Sequence, residues 1–344
     1  MERRTKRQLV AVVVAGAALA GVAVCRRHTA LADLYATAVY PRLSGVMSWL
    51  SSWIPFSLEE VLALVAAVAA IACLARLKRR WLPLLGLILW VVVWFYVCWG
   101  INYFRSSIFD RAGVRPAAFE AERFDAFLQE YTEGLNASYI PVESIDTAAL
   151  EREVKAFYDA LPERWGLARP KAWQRPKRLL FDRLYSAVGV MGFVGPFFNE
   201  IQVGGDVPPI QYPFVYAHEM SHLLGVSSEA EANYWAWKAC TASASPAFRY
   251  AGYQALLPYV LSNASRALPE DAYAAWTATL RPEVVEAYRA EQAHWDALYS
   301  PLIGRIQHWA YNLYLKGNRI SSGTANYNEV ISIILSLDPG PTLP

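Results

Sequence analysis

The sequence predicts a mainly α-helical protein with a small β-sheet, in which three N-terminal transmembrane helices precede a largely helical outer domain. Three observations predict it. Of 344 residues, 55% are hydrophobic and only 18% charged, against about 45–50% and about 25% in an average soluble protein. The apolar excess is gathered in the first hundred positions, in runs approaching or reaching membrane length. Beyond them, apolar residues recur at three- and four-residue spacing, with one short tract of valine, aromatic and glycine residues suited to strands. Charge excludes other classes. With 32 Lys and Arg against 30 Asp and Glu, the net charge of +2 leaves no basic excess for neutralising nucleic-acid phosphates. Low net charge and 14% aromatics exclude a disordered chain. Cys25, Cys73 and Cys98 lie within the apolar runs and leave Cys240 alone, so neither a disulfide framework nor a cysteine zinc site can be assembled.

The first span covers residues 9–25 and follows Arg3, Arg4, Lys6 and Arg7; taken alone it fits a signal peptide or a first membrane helix. The second, about 58–76, is built on the apolar run 61–75, with Glu59, Glu60 and Arg76 able to snorkel at its ends. The third, about 81–102, gathers Trp94, Tyr96 and Trp99 towards its far end, where an aromatic belt belongs. The basic cluster before Leu9 and the one formed by Arg76, Lys78, Arg79 and Arg80 assign both segments to the cytoplasmic side, which places everything after Tyr103 outside. Between the first two spans, segment 26–57 carries Leu31, Leu34, Tyr35, Trp49, Trp53 and Ile54, as helices lying on the outer membrane surface would. The chain divides on this basis into a membrane anchor, 1–105, and an extracytoplasmic domain, 106–344.

Within that domain, residues 119–133, 147–161 and 283–299 carry helical apolar periodicity, which resumes over 302–315 after Pro301. Residues 197–203, ahead of Gly204 and Gly205, make the best strand. Residues 213–224 should form a helix with Pro213 in its first turn. That helix carries His218-Glu219-Met220-Ser221-His222. Histidines four apart lie on one face, one turn from each other, so two imidazoles can share a metal. Glu219 sits beside the pair, where a carboxylate can take a proton from a metal-activated water and pass one to a leaving amine. This is the H-E-x-x-H arrangement of zinc peptidases. Gly225 can end the helix in a left-handed conformation. The following Ser228-Glu229-Ala230-Glu231-Ala232-Asn233 starts another helix, on which Glu229 and Asn233 share a face.

The string His218 to Asn233 resembles a family of bacterial membrane proteins filed as domain of unknown function 3810. So do Trp99-Gly100-Ile101-Asn102-Tyr103-Phe104-Arg105, Arg249-Tyr250-Ala251-Gly252-Tyr253 and Tyr314-Leu315-Lys316-Gly317-Asn318. The resemblance implies N-terminal transmembrane helices followed by a zincin-like metallopeptidase domain. It also implies a gluzincin-type pattern in which one zinc ion is held by His218, His222 and Glu229, with Asn233 orienting His218 from behind. Two departures stand out: the residue at Asn233 is often Asp in gluzincins, and the gap between His222 and Glu229 is short. Glu231 is the alternative ligand. It forms an S-x-x-E capping box with Ser228, so it is expected to be partly occupied there, and its loss to cost about 1 kcal/mol or less.

Zincins commonly lay substrate along a strand edge, which implies a peptide ledge at Ile201, Val203 and Gly204. Tyr250, His294 and His308 are candidates for a donor to the transition-state oxyanion. The expected function is a membrane-anchored, zinc-dependent metalloendopeptidase of the bacterial cell membrane, multi-pass, acting on peptide or protein substrates at the envelope. Its partners would be that substrate and the lipid bilayer, with no nucleic acid. The alternative is a non-catalytic envelope sensor or partner-binding module with a structural metal.

Overall fold

A computed structural model describes residues 2–75, 77–318 and 329–338. It is mainly helical with one small sheet. The N-terminal part comprises helices α1 (Glu2–Arg27), α2 (Thr29–Leu34), α3 (Tyr40–Ser51), α4 (Leu58–Leu74) and α5 (Leu77–Cys98), with one π turn at Tyr35–Val39. A 3-10 turn, Gly100–Phe104, leads into α6 (Ile108–Ala112), α7 (Ala121–Ser138) and α8 (Thr147–Ala160). After α9 (Asp182–Ser186) and the sheet come α10 (Tyr212–Leu223) and α11 (Glu229–Thr241). The chain continues with α12 (Pro246–Ala267), α13 (Glu270–Thr277), α14 (Pro282–Leu298), α15 (Pro301–Gly317) and α16 (Val330–Leu337). Each helix expected from periodicity is present within a few residues. Local chemistry explains the starts: Asp146 accepts from Ala148 N and Ala149 N at 3.0 Å to begin α8, and Pro occupies the first turn of α10, α12 and α14.

Among the described residues, two helices are long and apolar enough to cross a membrane, over Thr5–Arg27 and Trp81–Cys98. Both turn apolar side chains outward, among them Val10, Val13, Trp81 and Ile88. The expected second span is shorter than predicted: α4 ends at Leu74 after 17 residues, at the lower limit for crossing, although Leu64, Val65, Val68 and Ile71 are exposed along it. Arg76 lies outside the described residues. Lys78, Arg79 and Arg80 fall in the first turn of α5 and so belong to a helix where a loop was expected. The third span stops at Cys98, because the chain tightens into the 3-10 turn.

Strands β1 (Pro176–Lys177), β2 (Gly192–Gly195) and β3 (Glu200–Val203) form a sheet in the order β1-β3-β2. β3 runs parallel to β1, with Ile201 opposite Pro176, and antiparallel to β2, with Val203 opposite Gly192. Phe197 and Phe198 lie in the connecting turn and outside the strand, and Asn199 completes that turn at φ 53°. One hydrophobic core runs through the molecule, joining Tyr35, Tyr40 and Trp99 to Met220, Leu223 and Trp235. Helices α10 and α11 sit at its centre, buried along nearly their whole length.

Candidate metal centre

An α-helix leaves its last carbonyls without partners of its own. At the end of α10, N-terminal residues supply partners. Tyr40 Oη donates to Leu223 O at 2.6 Å, and Trp99 Nε1 donates to His222 O at 3.0 Å. Arg105 donates to Gly225 O at 3.1 Å, and Ser227 Oγ donates to Asn102 O at 3.1 Å. Gly225 takes φ 102°, so the chain leaves α10 in a left-handed turn that a side chain would strain, and restarts at Ser228, whose Oγ caps the Glu231 backbone N–H. The short gap after His222 therefore brings Glu229 directly back over the histidines.

His218 Nε2 and His222 Nε2 lie 3.0 Å apart, and each is 3.2 Å from Glu229 Oε2. All three side chains are largely buried. They form a cluster that could hold a metal ion. His222 Nδ1 is 2.8 Å from Val226 O, an oxygen that can only accept, so this nitrogen carries a proton and Nε2 is the one turned to the cluster. Tyr311 donates to Glu229 Oε1 at 2.6 Å, which leaves Oε2 to face the histidines. Burial alone would raise the Glu229 carboxyl, but the facing imidazoles of His222 and His218 hold it well below the usual carboxylate range. Burial would lower His222, yet the Glu229 charge and hydrogen bond raise it to about 9.

Glu219 stands beside the cluster without joining it. Burial raises its carboxyl above the ordinary value, against the pull of His218 and His222 and with a further push from Glu229. Its Oε2 has no hydrogen-bond partner among the described residues. Gly192 of β2 permits its position: a Cβ there would lie 3.0 Å from Glu219 Cγ and 2.8 Å from Gln202 O. A cavity of about 770 Å³ opens onto Glu219 and His218, walled by Met191, Gly192 and Phe193 on one side and by Gln307 and His308 of α15 on another.

The other expected residues separate. Asn233 is buried in the same cavity wall as Tyr259, and its Nδ2 has no partner among the described residues. Glu231 turns away from the histidines to form a buried ion pair with Arg111 and to accept from Trp235 Nε1 at 3.1 Å. With this pair in place, removal of Glu231 is expected to cost more than the loss of a cap, because an uncompensated guanidinium would be left behind. The ledge at Ile201, Val203 and Gly204 is corrected. β3 is the central strand, bonded on both sides, and Gly204 N is taken by Met191 O at 2.8 Å, so the edge beside the cavity belongs to β2. Among the oxyanion candidates, only His308 lines the cavity. Tyr250 Oη faces Gln254 Oε1 at 3.2 Å, and His294 Nε2 faces Asp206 O at 2.7 Å. Tyr311, Tyr40, Trp99 and Arg111 were not foreseen in these roles. Trp99 and Arg105 lie in a string singled out by its resemblance, while nothing in the spacing of Tyr311 or Arg111 points to a glutamate on α11.

No curated protein and no solved structure matches the chain. A family model covers residues 35–335, from the π turn through to α16 and across the whole cluster. The chain therefore belongs to the family described as protein of unknown function (DUF3810).

Proposed function

We propose that the chain is a membrane-anchored, zinc-dependent metallopeptidase, with a zincin-like site facing away from the cytoplasm and acting on polypeptides at the cell envelope. The observation that carries this reading is the convergence of two imidazole nitrogens and one carboxylate oxygen within 3.2 Å of one another, with a second, unligated glutamate alongside. The donor set fits zinc. Bonds of about 2.0–2.1 Å in a tetrahedron put neighbouring donors about 3.3 Å apart, close to the separations found. Three donors leave a fourth position open, as a catalytic site requires and a closed structural site does not.

When bound, zinc supplies Lewis acidity towards a substrate carbonyl and lowers the pKa of water to about 7. Glu219 takes the proton at its carboxylate and returns one to the departing amine; burial, which raises its carboxyl above the ordinary value, makes it a stronger proton acceptor than an exposed carboxylate. Glu229 is kept ionised by the histidines and is oriented by Tyr311. The cavity above Glu219 is walled by β2, whose outer edge can pair with an extended chain. Orientation rests on the basic residues flanking the first and third spans.

Glu219→Gln tests the reading. The variant should bind zinc as the parent does and lose peptide hydrolysis by about 10²-fold or more. Hydrolysis at the parental rate would remove Glu219 as the base, and a site serving only a sensor or partner-binding role would show no hydrolysis in either protein.

A further inference from the structure

Helix α15 covers the cavity and has two opposed faces. Ile303, Gln307 and Tyr311 line the cavity, whereas Leu302, Trp309 and Leu313, on the opposite side by helical spacing, point outward at 65%, 66% and 52% exposure. A second exposed apolar segment lies across the mouth, at Leu180, Phe181 and Leu184, and Leu184 itself lines the cavity. Scattered exposed apolar residues need no explanation, but two such groups rimming one opening do.

Both groups are tied to the ends of helices assigned to the membrane. The Leu180 and Phe181 backbone N–H groups donate to Glu60, in the first turn of α4, at 2.6 and 2.9 Å. At the far end of α15, Asn318 Oδ1 accepts from Tyr96 Oη of α5 at 2.9 Å. The adjacent turn is fastened at the same level: Trp94 Nε1 donates to Phe197 O at 3.1 Å, and Glu59 accepts from Phe197 N and Phe198 N. Glu59 and Glu60 begin α4, while Trp94 and Tyr96 close α5, so all these contacts mark one end of the spanning helices. An apolar helix face fastened to the ends of the membrane-assigned helices, at the level of Trp94 and Tyr96, has the character of an interfacial helix.

We propose that α15 and the segment 180–184 dip into the outer leaflet, so that the metal cavity opens at the bilayer surface and takes the juxtamembrane segment of a membrane-anchored polypeptide. The occupant of the apolar rim is the acyl region of the bilayer. The substrate assignment rests on the peptidase reading above; the membrane surface does not.

The test uses the full chain in nanodiscs of phosphatidylethanolamine and phosphatidylglycerol, with photoreactive benzoylphenylalanine placed at Trp309, at Leu313 or, as a solvent-facing control, at exposed Glu286 of α14. Lipid adducts are expected at the first two positions and not at the third. A folded protein, by near-ultraviolet circular dichroism, that gives no adduct at 309 or 313 would overturn the membrane surface. In the second arm, one peptide is supplied either free or joined to a transmembrane helix in the same nanodisc. Leu302→Asp with Leu313→Asp should reduce cleavage of the anchored form about tenfold and leave cleavage of the free form unchanged. An equal effect on both forms, or on neither, would overturn the substrate class. Absence of cleavage of either form by the parent would remove the substrate class together with the peptidase reading, while the lipid adducts would still decide the membrane surface.

Discussion

Replacing Glu231 by alanine separates the roles of the two glutamates that open α11. Glu231 is 4% exposed, its carboxylate pairs with Arg111, and it accepts from Trp235 Nε1. The variant leaves a guanidinium, 8% exposed, without its counter-charge. Breaking a buried pair from one side costs about 3–5 kcal/mol, because the remaining ion is neither hydrated nor paired. The lost indole bond falls within that range, and the Ser228 cap is untouched because it uses the Glu231 backbone. For a chain of this size the unfolding midpoint should fall by about 4–7 °C. The assay is thermal unfolding in detergent of parent and variant, both stripped of metal, so that no difference in zinc affinity enters the comparison. Arg111→Met combined with Glu231→Leu should recover most of the loss, since an apolar pair of similar volume replaces a buried ion pair at little cost. A fall of under about 1 kcal/mol for Glu231→Ala would mean that Arg111 is hydrated, and would refute this use of the ion pair.

Tyr311→Phe removes the hydroxyl that donates to Glu229 Oε1 and should weaken zinc binding about 10- to 100-fold in chelator competition, while leaving zinc-free stability near the parental value; parental affinity would show that Glu229 is held by other means. Zinc binding should also depend on pH. His222 is protonated up to about pH 9 when metal-free, and Glu229 is already ionised, so binding must displace a proton from the imidazole. Apparent affinity should therefore fall by up to about tenfold per unit as pH drops below 9, and calorimetry in buffers of different ionisation enthalpy should find close to one proton released at pH 7. A flat profile between pH 6.5 and 8.5 would contradict the assigned His222–Glu229 pairing.

The helices and the clustering of His218, His222 and Glu229 were legible in the sequence because both depend on local spacing. His218 and His222 need only one helical turn to meet, and Glu229 follows after a turn that Gly225 announces. What the sequence concealed depends on long-range packing. Tyr311 reaches Glu229 across 82 residues, and Trp99 reaches the His222 carbonyl across 123. Neither separation leaves a periodic trace. Which strand edges the cavity is hidden for a similar reason. Residues 200–203 carry the stronger apolar pattern because they form the central strand, buried at every position, whereas the edge beside the cavity is made by glycine-rich residues 192–195. A glycine there is what lets Glu219 approach the sheet. The ion pair of Glu231 is concealed in the same way: its capping spacing is visible, but Arg111 lies 120 residues away. The second span was lengthened because composition cannot tell where a helix ends, and α4 stops at Leu74.

The central claim is that His218, His222 and Glu229 together hold one zinc ion. The direct measurement is the metal content of the full chain, purified in detergent, loaded with zinc and desalted, compared with Glu229→Ala and Glu231→Ala handled alike. One zinc per chain is expected in the parent and in Glu231→Ala, and an affinity lower by orders of magnitude in Glu229→Ala. A parent that retains no zinc, or a Glu229→Ala variant that retains it while Glu231→Ala does not, would contradict the account.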